Sequence, residues 1–266
     1  MSVALRMALQ RDPDAALGTI ATAGTALLVA LVAAAAEAPS RGLHLSSAWP
    51  FLLAGLLSPG AAQIFVTVAI RESGSSRVSM IFGAAPLVSV TIALLFLGEP
   101  ARATLIVGAV LVVAGGVELA RERDRPAHLN RLGLVLAFAG ATLFAIRDNV
   151  VRHLAVGKTA VPPAVAAAAA LVGGTVLIAI WAREGISRRW LNFVPAGLLF
   201  GGSYVSLFEA YYRGRVTVVA PLVAIESLVG VALSALLLRE SERVGKRLLF
   251  GAAVIVAGGA LIGATR

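Results

Sequence analysis

The sequence predicts an all-α integral membrane fold in which one multi-helix unit is written twice. Three observations predict it. First, the 266 residues are 59% hydrophobic and 14% charged, with a mean hydropathy of +0.90. Soluble domains carry roughly 45–50% apolar and about 25% charged residues, so this excess calls for lipid rather than a water-soluble core. Second, the apolar residues come in long runs. About 20 apolar residues cross the hydrocarbon as a helix, and the alternation of barrel strands is absent. Third, GAVLVVAGG at 108–116 returns as GAAVIVAGG at 251–259, an offset of 143. Glu99 and Glu240 close the preceding runs at an offset of 141, and Ala54-Gly55-Leu56-Leu57 returns as Ala196-Gly197-Leu198-Leu199.

Nine runs are readable, near 17–37, 49–70, 78–97, 104–120, 132–150, 162–182, 191–211, 216–238 and 248–264. The first is plain. The second carries Ser58-Pro59-Gly60 near its middle, and the third carries Pro86, expected to kink it. The fourth is the first copy of the glycine stretch. A charged linker from Arg121 to Arg131 then separates two expected domains, 1–120 and 132–266. The fifth run ends in Arg147, Asp148 and Arg152, where Asp148 and Arg152 are spaced for a pair and the cluster reads as an interfacial anchor. The seventh holds Phe200-Gly201-Gly202 at the depth of Pro59, and the eighth holds Glu226. The ninth is the second glycine copy, whose small face suits close helix approach.

Four runs precede the linker and five follow it. The run at 132–150 therefore wants a partner before residue 1, and Val3–Ala8 resembles its tail. Either that helix is lost or the true start lies upstream; the second is favoured, since a missing helix would open the first half to lipid.

Several function classes are excluded. The absence of cysteine rules out disulfides and thiolate metal sites, and no cofactor is expected. No cleavable signal peptide is visible, because Arg6, Arg11, Asp12 and Asp14 interrupt the N-terminus. The net charge of +9 lies mostly between apolar runs, which points to orientation in the bilayer and not to nucleic acid. Gly157-Lys158-Thr159 looks like the end of a phosphate loop, but Arg152 stands where the first Gly is needed. Zincin and nucleophile-elbow motifs are absent. No catalytic constellation is present, so the chain reads as a non-enzyme. Lys158 and Lys246 are the only lysines, and this arginine bias fits a GC-rich bacterial gene and hence a bacterial inner membrane. Alternate connections hold most of the 23 Lys and Arg, which would place the linker inside and the C-terminus outside.

Duplicated helical units in a membrane point to a transporter with its site between the halves. Ser58-Pro59-Gly60 and Phe200-Gly201-Gly202 suggest interrupted helices at matching depth. Gly60, Gln63, Thr67 and Arg71 share one helix face, and Gly202, Ser206, Glu209 and Arg213 repeat it. A polar face of this kind should line a cavity or another helix. Pro59, Gly60, Gln63, Thr67, Pro86, Gly202, Ser203 and Ser206 are the candidate cavity residues. Glu209 and Glu226 are the candidate proton-binding groups, because a carboxylate within a span costs roughly 2.5 kcal/mol or more unless protonated, paired or hydrated. The competing reading of Glu209 is an ion pair with Arg213, and that of Glu226 a neutral acid bonded to a neighbouring backbone. Tyr211, Tyr212 and Trp190 read as interface aromatics.

Ala85-Pro86-Leu87 through Gly98-Glu99 and Gly108–Gly116 carry a resemblance, as do Val219–Glu226, Leu238-Arg239-Glu240 and Gly251–Gly259. On these residues the chain resembles the EamA-type permeases of the drug/metabolite transporter superfamily. The resemblance implies ten helices in two inverted repeats, a central cavity and alternating access for a small organic solute. It also implies cytoplasmic termini, against the arginine distribution. Expected partners are the bilayer, the solute and a proton, and a homodimer is compatible with it. The alternative is a non-transporting scaffold or assembly subunit, which would have a closed interior with both glutamates engaged. If the start lies upstream, the genomic sequence before Met1 should encode an apolar helix in frame; an in-frame stop there is the contrary result.

Overall fold

The computed structural model describes residues 1–98, 103–120, 130–157, 160–182, 188–223, 225–238 and 246–263. Among them all regular structure is helical. The order is α1 (Ser2–Arg11), α2 (Ala15–Arg41), α3 (Trp49–Gly55), α4 (Ala62–Ser73), α5 (Ser75–Gly83), α6 (Ala85–Phe96) and α7 (Ala103–Ala120). There follow α8 (Arg131–Val156), α9 (Pro163–Ala182), α10 (Val194–Arg213), α11 (Val216–Val223), α12 (Ile225–Leu237) and α13 (Lys246–Gly263). Among the described residues six helical stretches are long and apolar enough to cross a membrane: Ala15–Arg41, Trp49–Ser73, Ser75–Phe96, Arg131–Val156, Pro163–Ala182 and Arg189–Arg213. Leu249–Leu261 is a shorter apolar helix. Most of the charged linker, 121–129, lies outside the described residues, as do Glu99, Arg239, Glu240, Lys158 and Thr159.

Local chemistry sets the ends of these helices. The Asp14 carboxylate accepts from the Ala16 and Leu17 amides at 2.9 and 3.0 Å and opens α2, a cap of the kind that contributes about 1 kcal/mol. Gly42, at φ 72°, closes it. Asn130 opens α8 by accepting from the Leu132 amide at 3.0 Å. The helix then runs to Val156, six residues past its expected end, and this extension relocates its charged cluster.

The second span breaks where Pro59 predicts. Proline has no amide to donate and pushes its predecessor out of the helical region, and Ser58 is extended at φ −148°, ψ 117°. The matching break expected at 200–202 does not occur. α10 is continuous, and its glycines serve packing instead: a Cβ on Gly201 would lie 2.9 Å from the Ala26 carbonyl oxygen of α2. The third span is interrupted beside Pro86, as expected of a proline within a run. Pro86 stands in the first turn of α6, after a break at Ala84, where its missing amide costs nothing.

The halves interlock reciprocally. α2 of the first half lies on α10 of the second, while α9 of the second lies on α3 and the bend after it. α5 packs on α12 as α11 packs on α6, and the two glycine copies meet as α7 against α13. A Cβ on Gly115 would lie 2.7 Å from the Gly251 carbonyl oxygen, and one on Gly258 would lie 2.6 Å from that of Gly108. Small residues let backbones approach this closely, and in lipid such packing replaces the hydrophobic drive.

The first turns of the chain join this symmetry. Arg6 donates through Nη1 to the carbonyls of Ile70 and Arg71 at the end of α4, at 3.1 and 2.9 Å. Arg152 donates in the same way to the carbonyls of Tyr211 and Tyr212 at the end of α10. α1 thus does for the first half what the end of α8 does for the second, which gives the resemblance of Val3–Ala8 to that end a structural content.

Adding one methyl group at the tightest crossings tests this interlock. Gly55→Ala would press on the Ala170 carbonyl and Gly173→Ala on that of Leu52. Each should cost about 1–3 kcal/mol and lower the melting temperature in detergent. Gly24→Ala and Gly202→Ala, which meet nothing within 4 Å, should leave it unchanged.

Candidate functional site

Between the halves lies a cavity of about 480 Å³, within the roughly 300–1,000 Å³ that holds small ligands. Both repeats build it. Val66, Val78, Phe82, Pro86 and Ser89 come from α4, α5 and α6; Phe200, Ser203, Tyr204, Ser206 and Leu207 come from α10. Arg147 and Asp148 of α8 and Glu226 of α12 bring the charge.

The continuation of α8 explains how that charge reaches the interior. Arg147 lies nine residues before the end of the helix, about 14 Å at 1.5 Å per residue. The expectation of an interfacial anchor is therefore corrected. The Arg147 side chain is 2% exposed, and its Nη2 meets Asp148 Oδ1 at 2.9 Å. Arg152 does not pair with Asp148, because its guanidinium caps α10. Three rings surround Arg147, with its guanidinium carbon 4.7 Å from the centre of Tyr204, 5.2 Å from Phe144 and 5.7 Å from Phe208. Ring faces attract a cation, and more so away from water. Nε and Nη1 of Arg147 are buried with no hydrogen-bond acceptor among the described residues.

Around the pair, Tyr204 donates its hydroxyl to the Ser58 carbonyl at 3.0 Å. The helix break thereby gains a partner for a buried backbone oxygen that the bend leaves without its helical donor, and Tyr204 is held under the guanidinium. Asn149 donates to the Ser89 carbonyl at 3.0 Å, tying α8 to α6. Tyr211, expected at the interface, is fully buried, while Tyr212 donates to the Val161 carbonyl at 3.0 Å.

The sequence candidates divide. Pro86, Ser203, Ser206 and Glu226 line the cavity. Pro59, Gly60, Gln63, Thr67, Gly202 and Glu209 are not among its lining residues. Pro59 and Gly60 pack on α9, where a Cβ on Gly174 would meet Pro59 Cγ at 2.6 Å. Gln63 is buried with both side-chain polar atoms unpartnered among the described residues, and Thr67 donates to the Gln63 carbonyl at 2.9 Å. Gly202 faces open space. Glu209 takes the ion pair with Arg213 and lies 3.8 Å from Arg41, which also holds Glu37 at 2.6 Å. Glu226 stands exposed in the first turn of α12, with Gly230 and Ser234 buried beyond it against α5, where Ser234 bonds Ser75 at 2.8 Å. The Ser203 and Ser206 hydroxyls donate to the carbonyls of Phe200 and Gly202, both at 2.9 Å, so toward a solute they are acceptors. Sequence reasoning missed Tyr204, Phe144 and Ser89, and misplaced Arg147 and Asp148. An unusual charge pair within an apolar run was the available signal.

An all-helical, multi-pass architecture in two interlocked repeats, with a charged hollow between them, is that of a membrane transporter. The chain belongs to the EamA-like transporter family, whose sequence profile matches residues 1–118 and 131–264. It is thus of the drug/metabolite transporter type, and it resides in a lipid bilayer. No curated protein matches the chain. Among solved structures 23 chains match. One of them, a crystal structure described only as that of a protein, is 20% identical, with alignment over 98% of this chain and 93% of that one and a TM-score of 0.68. That likeness concerns the fold.

Tyr204→Phe removes the donor to Ser58 and leaves a buried carbonyl unpaired. Unfolding in detergent should show a loss of about 1–3 kcal/mol, with no change in helix content by circular dichroism.

Proposed function

We propose that the chain is a secondary transporter that moves a small organic solute across the membrane by alternating access, using the cavity between the repeats as its solute site. The observation that carries this reading is a hollow of ligand size holding a buried Arg–Asp pair. Charged groups inside a membrane protein are expensive to maintain and mark solute or ion pathways. Both repeats contribute walls, so a rocking of one against the other would open the hollow to either side.

Proton coupling is part of this proposal. Of the two acids singled out from the sequence, Glu226 is favoured because it lines the cavity, whereas Glu209 is engaged by arginines outside the lining. Ser203 and Ser206 offer acceptors to the solute. Gln63 and Thr67 serve as buried polar support beside α8, and Pro59 and Gly60 as the bend that positions them. The domains are proposed as 1–120 and 132–266 with a linker between, and the membrane as a bacterial inner membrane. The scaffold alternative asks for a closed interior with both glutamates engaged, and the open cavity and exposed Glu226 weigh against it.

A metabolite library screened by thermal shift on the purified protein identifies the solute, since a ligand specific to the folded state raises its stability. Flux of that solute into liposomes should be abolished by Ser206→Trp, which fills the cavity, and Glu226→Gln should remove its dependence on a pH gradient. Full gradient-driven flux in Glu226→Gln would remove that residue from coupling, and undiminished flux in Ser206→Trp would remove the cavity from transport.

A further inference from the structure

We infer that Arg147 anchors the anionic group of an organic monoanion in the cavity, and that Asp148 takes up the proton that enters with it, Glu226 across the cavity passing that proton to and from water. This rests on the reading of the cavity as the solute site, and deepens it by naming the class of solute.

Three observations lead there. Arg147 carries the one basic side chain among the described lining residues. The lining hydroxyls of Ser203 and Ser206 have already given their protons to backbone carbonyls, so they add nothing to anion recognition. The guanidinium is also incompletely used. Asp148 holds Nη2, while Nε and Nη1 have no acceptor among the described residues. A guanidinium can bind a second carboxylate or a phosphate ester through such N–H groups. The rings of Tyr204, Phe144 and Phe208 hold it in place, so little order need be gained when an anion arrives. The remaining wall, with Val66, Phe82, Phe200 and Leu207, suits an apolar body.

Charge balance then assigns the role of Asp148. The empty pair is neutral. A bound anion would leave two carboxylates on one cation and a net negative charge out of water, which is costly. One proton from the aqueous phase, forming an O–H bond on the Asp148 carboxyl, restores neutrality. The protonated acid no longer competes for Nη2, so the solute can hold the guanidinium by two N–H groups. On release of the anion the proton leaves to water and the Arg147–Asp148 pair reforms. The groups that face this exchange are Arg147 beside it, Tyr204 and Tyr211 from α10, Ser89 from α6, and, across the cavity, Glu226 from α12 and the Met1 amino group. Among these, Asp148 is the carboxylate in contact with the guanidinium.

The test uses the purified full chain in detergent with three probes of one size, 3-phenylpropionate, 3-phenylpropylamine and 3-phenylpropanol. Calorimetry in buffers of different ionisation enthalpy reads affinity and proton uptake together. The carboxylate should bind tightest, take up one proton per anion, and lose about tenfold in affinity per unit rise in pH, the slope of one linked proton. Asp148→Asn should bind it with no proton uptake and no pH dependence. Arg147→Gln should bind it at least tenfold more weakly. The double variant Arg147→Gln/Asp148→Asn keeps a neutral pair of similar shape and should bind the alcohol as the native chain does, which separates lost recognition from lost folding. Proton uptake that persists in Asp148→Asn, or unchanged carboxylate affinity in Arg147→Gln, would overturn the inference. If the amine or alcohol binds tighter, and Ser206→Trp blocks it, the cavity remains the solute site and the anion inference falls. If none of the three binds, both fall.

Discussion

A guanidinium cannot be left facing hydrocarbon, and the placement of Arg147 organises the interior of this molecule. Its position within α8 demands a partner, and Asp148 supplies it at 2.9 Å. The pair must also be roofed, and Phe144, Tyr204 and Phe208 close over it. Tyr204 in turn reaches the backbone of Ser58, so the broken second span is tied to the same cluster. Remove the cation and the reason for each neighbour weakens: the bend loses its anchor, α10 its aromatic face, and the hollow the one basic side chain among its described lining residues. Asp148, Arg147, Tyr204 and Ser58 thus form a chain of contacts in which each group satisfies its neighbour.

Around that cluster the scaffold is held by contacts that leave no room. Helices in lipid gain nothing by hiding apolar surface from one another, so attraction comes from close fit. Gly55, Gly173, Gly115 and Gly258 each sit against a carbonyl of the facing helix. These crossings join one repeat to the other, and the reciprocal pairs α2 with α10, α9 with α3, and α5 with α12 beside α11 with α6 extend the arrangement across the molecule. The apolar composition that demands a bilayer and the glycine content that permits close approach are therefore two sides of one solution.

The repeat and the helical class were legible because both are written in long stretches. Copies such as 108–116 and 251–259 survive as strings, and their pairing as α7 against α13 follows from their small faces. The break at Pro59 was equally legible, since proline acts through local geometry alone. What failed were inferences that needed to know where a helix ends. Placing the end of α8 at 150 put Arg147 and Asp148 at the membrane surface; the continuation to Val156 moves them inward. The glycines at 201 and 202 looked like a second break, but glycine permits a bend without requiring one, and here Gly201 accommodates α2. Of the expected polar stripe only Ser206 stayed at the site. Periodicity places Gln63 and Ser206 on corresponding faces, yet cannot say that one meets a neighbouring helix and the other a hollow.

The repeats are not chemical copies where it matters most. Arg6 and Arg152 cap equivalent helices, and counting back from them sets Met1 and Ser2 opposite Arg147 and Asp148. The Ser2 hydroxyl meets Ser79 at 2.8 Å and brings no ionised side chain. A nearly twofold frame thus encloses a one-sided electrostatic interior. An occupant with a polar head would have a single favoured heading within it, and turning the frame over would not reproduce the same fit. The duplicated scaffold thus carries its electrostatic asymmetry in two side chains.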